Sequence, residues 1–218
     1  AHGLILSVVV TAFMNVSGAH INPAITTALL FTGRISLPGA VAYIAAQLVG
    51  ATIAGVLLFS VLMPNIEAAN SASVVTETKN GSPYYDWQKL GRTDSISPDT
   101  SRSGQQAQMR SVAAQRALIL EAAMTFLLAI AVFGTAVDPR HPNVGGFGIG
   151  LTVTACILLG GPFTGAAMNP ARFLGTAAIT MDAELLAQWW VYTVGPIAGA
   201  VAAGLIYHFA ILDRKAKT

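Results

Sequence analysis

Two asparagines stand where chemistry is most easily read. Asn22 and Asn169 each open an Asn-Pro-Ala triplet, in Ser17-Gly18-Ala19-His20-Ile21-Asn22-Pro23-Ala24 and in Thr164-Gly165-Ala166-Ala167-Met168-Asn169-Pro170-Ala171. Asn is a good N-cap and Pro a good first helical residue, so each triplet reads as a helix start after a Gly-containing turn. A helix start offers unpaired N–H groups and the positive end of the helix dipole. Two such starts meeting inside a membrane disfavour a cation. Their two side-chain amides, donating to the oxygen of one water molecule, turn its hydrogens outward and interrupt proton relay along a water file. Arg172, directly after the second triplet, adds a fixed cation and a guanidinium donor for a passing oxygen.

The elements that must position these groups are membrane spans. Apolar residues make up 54% of the chain and charged ones 10%, a balance suited to lipid. Apolar runs at Ala1 to Val16, Ala40 to Met63, Ala117 to Val137, Gly145 to Gly161 and Trp189 to Leu212 approach the ~20 residues of a spanning helix. Five spans are expected, with a helix too short to cross after each triplet. Arg34, Arg140 with His141, and the tail Arg214-Lys215-Lys217 mark the cytoplasmic side by the positive-inside rule. Residues 64–115 read as a polar extracytoplasmic loop, in which Tyr84-Tyr85-Asp86-Trp87 is either a self-packed patch or a partner site. An integral multi-pass protein of the cell membrane, plasma or inner, is expected.

The repeat extends beyond the triplets. Gly50-Ala51-Thr52-Ile53-Ala54-Gly55 is echoed by Gly199-Ala200-Val201-Ala202-Ala203-Gly204, with small residues where helices approach closely. Each half is thus span, re-entrant helix, span, inserted in opposite directions so that the short helices enter from opposite faces and meet near the midplane. The second half carries a further span, Ala117 to Val137, without a counterpart in the first. Because the chain opens without Met inside an apolar run, symmetry predicts an N-terminal span ahead of it. One channel domain over 1–218 is expected: 1–63 a partial first repeat, 116–212 the second, and 213–218 a cytoplasmic tail.

On Ser17 to Ala24, Ala167-Met168-Asn169-Pro170-Ala171-Arg172, Glu121 and Val194-Gly195-Pro196, the chain resembles the aquaporins, or major intrinsic proteins, over nearly its whole length except the polar loop. The resemblance implies an all-α, right-handed bundle with an inverted repeat and two re-entrant half-helices, one pore per protomer and a homotetramer. It implies a passive path for water, closed to protons and ions, whose narrowest point matches His2, Ile157, Ala166 and Arg172. Ile157 and Ala166 make that filter wider and less polar than a strict water filter and similar to the plant tonoplast branch, which also passes ammonia, urea or hydrogen peroxide. Against a glycerol facilitator of the same family stand Phe173 after Arg172, Ala177, and Trp189-Trp190 in place of a Pro-Leu type pair.

The remaining polar residues have more ordinary readings. Glu121 in an apolar run must face the bundle, where a brace accepting backbone N–H groups of a re-entrant segment is favoured over a proton relay. His20 is a fixed hydrogen-bonding group of its loop or a pH sensor at the cytoplasmic mouth. His141 and His208 lack ligand partners at metal spacing, so no metal and no cofactor are expected. Cys156 stands alone among apolar neighbours and reads as packing. Gly145-Gly146-Phe147-Gly148-Ile149-Gly150 lacks the Lys of a phosphate loop, and no catalytic constellation emerges. The net charge of +2, without a basic stripe, gives nucleic acid no footprint. A secondary transporter is disfavoured because Glu121 is the only acid within a span. An adhesion protein would have to rely on the polar loop.

Overall fold

A computed structural model describes residues 1–68, 82–92, 101–140 and 144–212, without the side chains of 62–68. Every regular element among them is helical: α1 (His2–Ser17), α2 (Pro23–Phe31), α3 (Leu37–Ala68), α4 (Trp87–Leu90), α5 (Arg102–Val132), α6 (Phe147–Thr164), α7 (Pro170–Thr180), α8 (Ala183–Leu186) and α9 (Val191–Tyr207). A single π-helical turn, Phe133–Val137, closes α5, and another, His208–Leu212, follows α9. His141 and the basic tail lie outside the described residues.

The two triplets punctuate the chain in the same way. Gly18 and Gly165 end α1 and α6 at φ 73°, a left-handed stop natural to glycine, and four residues later an extended Asn caps α2 or α7. The half-helices have 9 and 11 residues, about 14 and 17 Å at ~1.5 Å per residue. Neither crosses ~30 Å of hydrocarbon. Four long apolar helical segments, containing α3, α5, α6 and α9, are able to cross, and α1 is an apolar helix of 16 residues.

Hydropathy underestimates α5. The polar loop expected to end near residue 115 ends instead at Ser101, whose hydroxyl accepts the N–H of Gly104 and starts the helix. Residues Arg102 to Gln115 form turns outside the apolar run, since a helix needs no apolar face where it leaves the membrane. The loop's other end recedes likewise, because α3 runs on to Ala68.

Packing reproduces the repeat as a crossed arrangement. The last span, α9, lies on the first half-helix α2, and α3, the closing span of the first half, lies on the second half-helix α7. At α3 and α7 a Cβ on Gly55 would strike the carbonyl of Gly175, and at α9 and α5 one on Gly199 would strike the carbonyl of Ala122. Those glycines permit backbone-to-backbone approach. Helix α9 also packs along α5, whereas the main helix contacts of α3 among the described residues are with α2 and α7. Almost none of α3 is therefore buried, against about a third of each of the other long segments.

Candidate functional site

The loops ahead of the two caps share an unusual backbone. Ala19 and Ile21 have φ of 44° and 40°, and Ala166 and Met168, at the matching positions three and one before the second Asn, have 46° and 51°. Left-handed backbone is strained for residues with a Cβ and most so for β-branched Ile21, at about 1–3 kcal/mol each. The cost is tolerated only if surrounding bonds hold the loops.

Those bonds cross between the halves. Asn22 Nδ2 donates to the carbonyl of Met168 at 2.8 Å, and Asn169 Nδ2 donates to the carbonyl of Ile21 at 2.9 Å. Each Asn thus holds the residue that precedes the other. The amide oxygens turn inward to their own helices, Asn22 Oδ1 accepting from Ala24 N at 2.9 Å and Asn169 Oδ1 from Ala171 N and Arg172 N at 3.0 and 3.3 Å. The result is two helix N-termini facing each other, with both side-chain amides fixed.

Glu121 on α5 braces the second loop. Its Oε1 accepts from Thr164 Oγ1 at 2.7 Å and Ala167 N at 3.0 Å, and its Oε2 accepts from Met168 N at 2.7 Å. The residue is fully buried, and all three partners are donors. That set suits a carboxylate, and Thr164 Oγ1, while donating to it, accepts in turn from Ala166 N at 3.2 Å, which ties the brace into the loop. Met168 is held through both of its backbone groups, its N–H by Glu121 and its carbonyl by Asn22.

Arg172 folds back on its own loop, Nη1 donating to the carbonyls of Ala166 at 2.6 Å and Gly165 at 3.2 Å. It lines the same cavity as His2. A narrow cavity of about 60 Å³ is lined by His2, His20, Asn22 and Asn169 amid apolar side chains including Ile25 and Val153. At ~15 Å³ per water it holds a short file. A larger cavity of about 730 Å³ between α1 and α3 shares His2, His20 and Asn169 with it and reaches Arg172. A further cavity lined by Asn15, His20 and Arg34 adjoins the narrow one.

Residues 1–207 match the family model described as "Major intrinsic protein". The chain belongs to the major intrinsic protein family. It is 40% identical over 210 residues to aquaporin TIP4-4 of Zea mays, covering 95% of this chain and 68% of that one. It is 35% identical over 218 residues to probable aquaporin TIP3-2 of Arabidopsis thaliana, covering 97% and 66%. The chain therefore spans about two thirds of the length of these relatives. An X-ray structure of the aquaglyceroporin from Plasmodium falciparum superposes with a TM-score of 0.67 at 20% identity, over 99% of this chain and 82% of that one, a likeness of fold. Major intrinsic proteins are channels, so the chain is an integral multi-pass membrane protein of a channel family and not an enzyme.

Within this major intrinsic protein the other anticipated site residues are placed unevenly. His2 and Arg172 share the larger cavity, but neither Ile157 nor Ala166 lines it or the narrow one. Ile157 packs against the central core, and Ala166 is fully buried, offering Arg172 its carbonyl. His20 lies 3.4 Å through Nδ1 from Thr26 Oγ1 with its ring 4.8 Å from Tyr43. Phe173 and Ala177 are fully buried. Trp189 and Trp190 are 52% and 38% exposed, and the ring stacked on Phe173, at 4.5 Å, is Tyr192. Tyr192 also donates from its hydroxyl to the orphan carbonyl of Thr164 at the end of α6, 2.7 Å away. Sequence reasoning missed it; its place two residues before Val194-Gly195-Pro196 was the available signal.

Proposed function

We propose that the chain forms a passive transmembrane channel for water that also admits small neutral solutes such as ammonia, urea or hydrogen peroxide and excludes protons and ions. The observation that carries this reading is the reciprocal pair of bonds from Asn22 to Met168 and from Asn169 to Ile21. An amide NH₂ group has two hydrogens. With one of each committed across the junction, the other donates into the narrow cavity both residues line. A water there accepts from two fixed donors beneath two helix N-termini, an arrangement hostile to hydronium.

Arg172 supplies the fixed charge of the filter, with His2 in the same cavity; Ala166 contributes the carbonyl that holds Arg172, and Ile157 acts from the core behind the path. Exposed apolar side chains on α1 and α6, among them Leu4, Val8, Leu158 and Phe163, suit lipid or neighbouring protomers, and a homotetramer is the assembly we propose. The TIP designations of the relatives lend no support to the cell membrane expected from charge and composition; they accord with the tonoplast-type filter. Stopped-flow shrinkage of proteoliposomes tests the reading. Water efflux faster than from empty vesicles is expected, and equal rates with verified insertion would refute it.

A further inference from the structure

The extracytoplasmic segment Ser82–Arg92 is tied down far more firmly than a surface loop requires. Tyr85 and Gln188 exchange two hydrogen bonds, Tyr85 N to Gln188 Oε1 at 3.0 Å and Gln188 Nε2 to the Tyr85 carbonyl at 3.2 Å, so the side-chain amide imitates a strand partner in a buried site. One turn away, Trp87 Nε1 donates to Glu184 Oε1 at 2.8 Å. Arg110 of α5 pairs with the same oxygen at 3.2 Å while its guanidinium lies 4.3 Å over the Trp87 ring. Arg116 Nη1 then takes the carbonyls of Leu90 and Arg92 at 2.7 and 2.8 Å.

What these anchors press against is the filter loop. Pro83 is fully buried, and a Cβ at Gly165 would sit 2.8 Å from Pro83 Cα and 3.3 Å from Tyr84 N. Gly165 and Ala166 supply the two carbonyls that hold Arg172. We propose that Ser82–Arg92 is an outer strap that positions Arg172 through the Gly165–Ala166 backbone, with Glu184 as its principal anchor. Glu184 and Gln188 are then positioning residues that act on selectivity without touching the path. The inference rests on the channel reading for its consequence in flux, though not for its structural content.

The test uses the 218-residue chain in vesicles. In Glu184→Ala, an exposed site, modification of Arg172 by phenylglyoxal, followed by mass spectrometry, is expected to speed up about fivefold, the equivalent of one ordinary hydrogen bond. The ratio of urea to water permeability should rise by a similar factor. Glu184→Gln keeps an oxygen for Trp87 and Arg110 and should stay within about twofold of the parent. Adding Glu184→Ala to Arg172→Val should leave the ratio of Arg172→Val unchanged. Unaltered Arg172 reactivity in both Glu184→Ala and Gln188→Leu, or a ratio shift that survives without Arg172, would overturn the strap. Parent vesicles no more permeable than empty ones would overturn only the channel reading, and Arg172 reactivity would still decide the strap.

Discussion

Replacing Glu121 by Gln isolates the brace of the second loop. The carboxylate receives three donors, Thr164 Oγ1 and Ala167 N on one oxygen and Met168 N on the other. Gln is nearly isosteric, and its single oxygen can retain the first pair. Its NH₂ group must then face the Met168 N–H, donor against donor, in a site with no exposure. One charge-assisted bond is lost, about 1.5–3 kcal/mol, and a buried N–H is left unpaired, about 1–3 kcal/mol. Relief from burying a charge offsets part of this, leaving a net loss of roughly 2 kcal/mol. For a chain of this size that lowers the melting temperature by about 4–8 °C. The effect reaches the junction because the Met168 carbonyl holds Asn22. Melting in detergent and stopped-flow water permeability at one pH are the assays. Glu121→Gln should lose both stability and permeability, while Thr125→Ser, whose hydroxyl bonds only the Glu121 carbonyl, should lose much less. A Glu121→Gln protein with unchanged melting temperature and permeability would refute the brace.

Arg172→Val removes the fixed cation and both carbonyl bonds; urea permeability relative to water should rise about tenfold, roughly the worth of one charge-assisted hydrogen bond, with proton leak rising in a pH-dye assay. Ile157→His narrows the filter and adds a donor, so the urea-to-water ratio measured in the same vesicles should fall; an unchanged ratio would leave Ile157 as a core residue. At the end of α5, Asp138 accepts from Arg140 Nε at 2.7 Å and from the Tyr207 hydroxyl at 3.1 Å. The Arg140 hydrogen bond is the main cause holding its carboxyl well below the usual range. A lowered folded value stabilises above the unfolded value of ~3.9 and is lost as pH falls through the folded one. Asp138→Asn should therefore melt lower than the parent by a constant margin from about pH 8 to about pH 5, and the margin should narrow below about pH 4.

The half-helix starts were legible because their signals are local: Asn caps, Pro at the first helical position and a Gly stop four residues earlier all lie within one short stretch. The helical bundle followed from apolar runs of spanning length. The beginning of α5 was hidden because hydropathy reports the bilayer and not the helix, and a Ser cap followed by polar helix formers leaves no apolar period. Glu121 could be read as an acid in need of donors, but their identity, 43 to 47 residues away, depends on how α5 meets the loop. Tyr192 was hidden behind the louder Trp189-Trp190 pair, which in three dimensions is largely exposed. The Tyr85 and Gln188 exchange joins positions 103 residues apart, and nothing in either local sequence announces it.

The central claim is that two crossed asparagine amides let water through while interrupting proton transfer. The direct measurement records vesicle shrinkage and internal pH together, in the same proteoliposomes, under an osmotic step and then under a pH step. Water efflux well above that of empty vesicles, with proton flux no greater than theirs, is the predicted result. Water efflux at the level of empty vesicles, or a proton flux that rises in step with it, would contradict the account.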